Sequence, residues 1–184
     1  SLGKLETLLI QIAGITGNAE VDLSRRGLIA MCADNGVVEE GVTQTGQEVT
    51  AIVAENFLKY DTSVGVMCKQ NHAEIFPVDM GMVTDTKVRT DHKIAYGTQN
   101  MTKGPAMTRE QAVKGLEAGI DMVRELNDKG YRILATGEMG IGNTTTSSAV
   151  ASVLLKQPVE EMTGRGAGLT SEGLVRKINA IKKA

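Results

Sequence analysis

Gly137-Glu138-Met139-Gly140-Ile141-Gly142-Asn143-Thr144-Thr145-Thr146 lies between two segments of different character. Before it, Tyr131 to Ala135 is a short apolar run of strand length; after it, Ser147 to Leu155 reads as a helix. Three glycines in six residues let a backbone turn sharply and come close to a ligand. Asn143 or Thr144 can cap the helix on its far side. A glycine-rich turn feeding a helix start presents free N–H groups and the positive end of the helix dipole, which suits a phosphate. Glu138 in the same turn keeps three readings open: it holds a ribose hydroxyl, it moves a proton, or it is a surface glutamate in a tight turn. The spacing fits neither a P-loop nor a dinucleotide fingerprint.

Working outward, the same strand-then-turn grammar recurs. Gly27 to Ala33 is continuously apolar and ends in Asp34-Asn35-Gly36; Ala73 to Val78 ends in Asp79-Met80-Gly81. Continuous apolar runs mark strands covered on both faces, as in parallel sheets. The fold expected is α/β, with strands near 27–33, 73–79 and 131–136 and the turns collected at their carboxyl ends, where open sheets bind ligands. Asp34 is either a site residue or an ordinary turn aspartate.

The helices follow from apolar periodicity. Leu2, Leu5, Leu8, Leu9 and Ile12 share one face of a helix already under way at Ser1 and ended by Gly14 and Gly17. It stands apart from the first strand and is assigned to a small helical layer. Thr45 and Glu48 fit a capping box before a face of Val49, Ile52, Val53 and Phe57, and Thr108 and Gln111 fit another. Val64, Val66 and Met67 are the expected buried residues of Ser63 to Gln70. The helix after Thr108 is expected to bury Val113, Leu116, Ile120 and Val123. Lys87 to Ala95 alternates, as an edge strand or extended arm does. The helix over 147–155, apolar nearly all round, is expected to be buried. A second glycine-rich loop, Met162 to Gly168, precedes a last helix capped by Thr170 or Ser171. On that helix Lys177, taken alone, reads as a solvated lysine. The helix runs to Ala184 without a stop signal, as if cut midway.

Composition narrows the function. At 184 residues the chain can bury a sizeable core. Aromatics are only 3% and the net charge is −2, which argues against a nucleic-acid surface. No apolar run has transmembrane length. Cys32 and Cys68 read as buried, reduced thiols of a cytoplasmic protein. Neither His72 nor His92 has metal-ligand spacing. The reading includes neither a metal site nor a cofactor.

Several pieces recur together in one order: SLGKLE at the start, ADNGV at Ala33 to Val37, GQEVT at Gly46 to Thr50, and VDMGM at Val78 to Met82. GPAMT at Gly104 to Thr108, GEMGIGNTTTSSA at Gly137 to Ala149, TGRGAGL at Thr163 to Leu169 and the Arg176-Lys177 pair complete them. Together they resemble the nicotinate-nucleotide:dimethylbenzimidazole phosphoribosyltransferases of cobalamin lower-ligand activation. GEMGIGNT is highly specific, and the resemblance spans nearly the whole chain.

The resemblance implies a Rossmann-like parallel sheet with flanking helices over residues 21–184, incomplete at the C-terminus. Residues 1–20 would be part of a small helical subdomain, and the protein a homodimer. It implies transfer of phosphoribose from nicotinate mononucleotide to 5,6-dimethylbenzimidazole or a related base, giving an α-ribotide and nicotinate. Glu138, Gly140 and Lys177 would hold the nucleotide with Gly166 nearby, and Gly142, Asn143 and Thr144 complete the phosphate turn. Gln47 and Met139 would contact the base; Thr43, where the family often has serine, would help form that pocket. The family's general base is a glutamate in a glycine-rich motif near its C-terminus, a region this chain does not reach. Glu138 would then be auxiliary to catalysis. The competing class is a non-catalytic nucleotide-binding subunit or paralogue that needs a partner to supply the base.

Overall fold

Three apolar strands pair in parallel to form the centre of the fold. In the computed structural model, which describes residues 2–184, they are β1 (Arg26–Ala33), β2 (Ala73–Gly81) and β3 (Ile133–Met139), in the order β2-β1-β3. Leu28 stands opposite Ile75 on one side and Ala135 on the other. The helices are α1 (Lys4–Thr16), α2 (Glu48–Leu58), α3 (Ser63–Gln70), α4 (Arg109–Asp128), α5 (Asn143–Leu155), α6 (Val159–Met162) and α7 (Ser171–Lys183), with a 3-10 turn at Gly36–Glu40. The expectation for Ser1 lies outside the described residues.

Alternation along β1 divides the core. Ala30 and Cys32 face Ala51, Ala54 and Phe57 of α2. Ile29, with Val78 of β2, faces Met122 and Leu126 of α4. Helices on both faces of a parallel sheet make the α/β layer architecture that the apolar runs predict. The chain leaves β1 for β2 on one side and later returns to β3 on the other. The gap between the carboxyl ends of β1 and β3 is therefore the switch point where doubly wound sheets bind ligands.

Several local expectations are corrected. β3 starts at Ile133 rather than Tyr131, because the Tyr131 amide closes α4 on Leu126 O at 3.0 Å. As the sheet edge β3 is only partly covered. Of the two readings for 87–95, edge strand or extended arm, the arm is the one found: the segment makes one isolated bridge, Val78 to Arg89. Backbone bonds hold it beside β2, from Asp79 N to Arg89 O at 2.8 Å and from Ile94 N to Met80 O at 3.0 Å. Lys93 Nζ reaches the buried Asp79 carboxylate at 3.2 Å. Asp34 is buried, and its Oδ2 accepts from Val83 N at 2.8 Å, a structural role in holding the chain just past β2.

The Thr108–Gln111 capping box forms with both of its bonds; the Thr45–Glu48 box does not. Gln47 is already helical at φ −65°, so α2 begins without a side-chain cap and Thr45 stays outside it. The helix faces differ too. α2 buries Thr50, Ala51, Ala54 and Phe57, leaving Ile52 exposed. α3 buries Gly65 and Cys68, with Val66 and Met67 outside. α4 buries Ala118, Met122 and Leu126, while Val113, Leu116, Ile120 and Val123 face away. α5 starts at Asn143, four residues before Ser147, and its inner face is Thr145, Ser148 and Ser152; Val150, Val153 and Leu154 are exposed. Small inner residues let a helix approach its neighbours closely, and periodicity cannot show which of two apolar stripes does so. α1 buries none of its residues.

Candidate functional site

At the switch point the chain leaves β3 through the glycine-rich turn. A Cβ on Gly140 would fall inside the Ala33 carbonyl, so only glycine lets the turn lie against the end of β1. Gly142 comes next but one, at φ +91°, and is the residue that opens α5. No side chain caps this helix, contrary to the expectation for Asn143 and Thr144. Asn143 N donates to Gly140 O at 3.0 Å and Thr145 N to Gly142 O at 2.9 Å. Among the described residues, the amides of Gly142 and Thr144 donate to no protein acceptor. Two free N–H groups at a helix start are donors that can receive an anion.

The two side chains expected to cap do other work. Asn143 Nδ2 donates to Glu138 Oε2. Thr144 Oγ1 accepts from Lys177 Nζ at 2.7 Å. Lys177 is 1% exposed, a correction to the solvated lysine expected from its position alone. Its other bond is to Gly164 O at 3.0 Å. Both acceptors are neutral, and it forms no ion pair with a described carboxylate. Desolvation consequently holds its pKa below the ordinary 10.5. Gly166, at φ +58°, passes directly over this pair; a Cβ there would meet Thr144 Oγ1 at 2.7 Å and Lys177 Nζ at 3.4 Å.

Beside the turn opens a cavity of about 340 Å³, walled by the Val42–Thr45 loop, by Met139 to Thr144, and by Arg165, Ala167 and Leu169. It gathers Thr43, Met139, Gly140, Gly142, Asn143 and Thr144 of the expected set, with Lys177 and Gly166 against Thr144. Gln47 is not in its wall: its Nε2 donates to Asn35 O at 3.1 Å. Glu138 is on the accessible side of β3, yet protein atoms crowd its carboxyl group. That desolvation raises its pKa above the ordinary glutamate value, with the Asn143 bond acting the other way.

Arg165 is a wall residue that residue-by-residue reading did not single out. Its guanidinium bonds Leu169 O at 2.7 Å and Ser171 Oγ at 3.0 Å, holding the second glycine-rich loop over the cavity. A cation inside TGRGAG was the signal available for it. A separate, largely apolar cavity of about 250 Å³ lies between Ala33, Gly81, Ile94 and the start of α4; it contains none of the expected residues. Among the described residues, no helix is long and apolar enough to cross a membrane.

Comparison with known proteins adds a second line. A family model described as Phosphoribosyltransferase matches residues 1–184. The chain is 50% identical to the nicotinate-nucleotide–dimethylbenzimidazole phosphoribosyltransferase of Ruminiclostridium cellulolyticum, over 100% of this chain and 53% of the relative. It is 47% identical to the protein of the same name from Clostridium tetani, covering 51% of it. In structure it is similar to CobT from Thermus thermophilus, with a TM-score of 0.91 and 37% identity, over 100% of this chain and 56% of that one. The chain thus spans about half the length of the curated relatives it matches.

Proposed function

Because the chain belongs to this phosphoribosyltransferase family, we propose that it holds a mononucleotide at the β1–β3 switch point and serves transfer of its phosphoribose to an aromatic base. The observation that carries the reading is Lys177: a buried ammonium with two neutral acceptors and no counter-charge, against a helix start with two free amides. A phosphate supplies the missing negative charge and accepts from all three donors. The names of the relatives supply the substrates, nicotinate mononucleotide and 5,6-dimethylbenzimidazole or a related base.

In this reading the phosphate is anchored over Thr144 and Lys177, with Gly140, Gly142, Asn143 and Gly166 shaping the turn around it. Glu138 faces the ribose. As nicotinate leaves, the anomeric carbon becomes positive, and a nearby carboxylate stabilises it. Met139 and Thr43 line the space beside the turn for the incoming ring. A ring nitrogen forms the new bond as the bond to nicotinate breaks, and the ring proton must pass to a base. Asn143 ties Glu138 to the nucleotide side, so we assign Glu138 an auxiliary role and not removal of the ring proton. The test is α-ribotide formation from nicotinate mononucleotide and dimethylbenzimidazole by this chain. Turnover at the rate of a complete relative would make Glu138 the base and overturn that assignment.

The same reading assigns α1 to a small helical subdomain, places the protein in the cytoplasm, and takes it to be a homodimer. The exposed stripe Val113, Leu116, Ile120 and Val123, spaced three, four and three residues apart, supports association because helix–helix seams use that spacing. Sedimentation of the chain and its Leu116→Glu variant tests it: a monomeric parent would contradict it.

A further inference from the structure

The turn that presents the free amides is held by two side chains that touch no proposed substrate group. Ile141 N donates to Thr50 Oγ1 at 3.0 Å, and Ile141 O accepts from Asn35 Nδ2 at 3.1 Å. Both polar groups of one residue are therefore taken by side chains from other elements, one on α2 and one just past β1. Thr50 is fully buried, a polar residue among the apolar contacts of α2. Asn35 is itself held: Gln47 Nε2 donates to its backbone O at 3.1 Å and Thr146 Oγ1 to its Oδ1 at 3.2 Å.

We propose that Thr50 and Asn35 are positioning residues for the anion site, fixing the Ile141 peptide groups so that the next amides, Gly142 and Thr144, point into the cavity. The proposal rests on the phosphate reading of the Lys177 site. The glycines on either side of Ile141 leave its peptide groups free to swivel unless something holds them, since glycine is conformationally permissive. Amides act on a charge most strongly when they need not reorient to meet it. Ile141 N bonded to Thr50 cannot also bond a phosphate, so Thr50 also decides which amides the ligand meets. The bond from Gln47 extends the clamp to the start of α2, giving that residue a role away from the cavity wall.

Thr50→Val keeps the branched shape and removes the acceptor; Thr50→Ser keeps the acceptor; Asn35→Ala removes the other clamp. Calorimetry would compare nicotinate mononucleotide with nicotinate riboside, which lacks only the phosphate. Thr50→Val and Asn35→Ala are expected to weaken the mononucleotide by roughly tenfold, to change the riboside by less than about twofold, and Thr50→Ser to restore parental binding. Equal loss of both ligands, or loss of neither, would overturn the proposal. The parent provides a measurement independent of how the variants fold. On titration with inorganic phosphate, its Gly142 and Thr144 amide resonances should shift while Ile141 stays protected from hydrogen exchange. If Ile141 responds most, the clamp does not exist. If the parent binds neither mononucleotide nor phosphate, it is the phosphate reading that fails.

Discussion

Lys177 Nζ lies 2.7 Å from Thr144 Oγ1, which ties the middle of α7 to the first turn of α5 across 33 residues of sequence. The bond is made from a side chain that is 1% exposed to one that opens on the cavity. A buried ammonium with only neutral partners is costly to keep charged. The free protein bears that cost at the place where a phosphate would relieve it.

The first prediction concerns pH. Lys177 has a folded pKa below its ordinary 10.5 because of desolvation. A bound phosphate favours the charged form and raises it again. Mononucleotide affinity should therefore fall as pH rises through the lowered pKa of the free protein, and binding in that range should take up a proton. Calorimetry in buffers of different ionisation enthalpy measures the uptake directly. For stability the sign is opposite to that of a paired lysine. The unfolded chain binds more protons between the lowered pKa and 10.5, so the contribution of Lys177 to stability rises with pH across that window.

Glycine substitution should separate shape from charge. In Gly166→Ala the new methyl would press on Thr144 Oγ1 at φ +58°. It should weaken mononucleotide binding at least about tenfold while changing the riboside little, because the clash falls on the Lys177–Thr144 pair. Gly140→Ala, driven into the Ala33 carbonyl, should lose both ligands and lower Tm as well.

The strands and their turns were legible because continuous apolar runs ending in Asp-x-Gly or a glycine cluster have few other readings. The site was legible at Gly140, Gly142 and Thr144 for the same local reason. Lys177 was legible only through the family resemblance: its burial depends on Thr144 and Gly164, which no helical periodicity around it encodes. Thr50 closes the GQEVT stretch, but its bond is to a residue 91 positions away. The helix faces failed for a different reason. α4 carries apolar residues on two sides, and a single sequence does not show which side meets the sheet.

That ambiguity of α4 gives a stability prediction. Met122 and Leu126 are fully buried against Ile29 and Val78, whereas Leu116 is 72% exposed. Met122→Ala should cost about 2–5 kcal/mol by urea denaturation. Leu116→Ala should stay within about 0.5 kcal/mol at concentrations where the chain is monomeric. The reverse order would restore the face expected from periodicity.

Glu138→Gln should split stability from function. The folded-state pKa of Glu138 is raised by desolvation, so its charged form is disfavoured on folding above that pKa. The amide variant should hold or raise Tm at pH 7, with the gain disappearing below the ordinary glutamate value of 4.5. Riboside affinity should drop, since Glu138 faces the ribose in the proposed pose. A Tm lower than the parent's at pH 7 would contradict the desolvation argument.

The most direct test of the phosphate site is calorimetric titration of nicotinate mononucleotide into this chain and into Lys177→Met, with both checked for folding by circular dichroism. Methionine fills the buried space without the charge. The parent should bind, and Lys177→Met should bind about 10- to 100-fold more weakly, the effect of losing a charge-assisted hydrogen bond. Equal affinity in the two folded proteins, or no binding by the parent, would contradict the account.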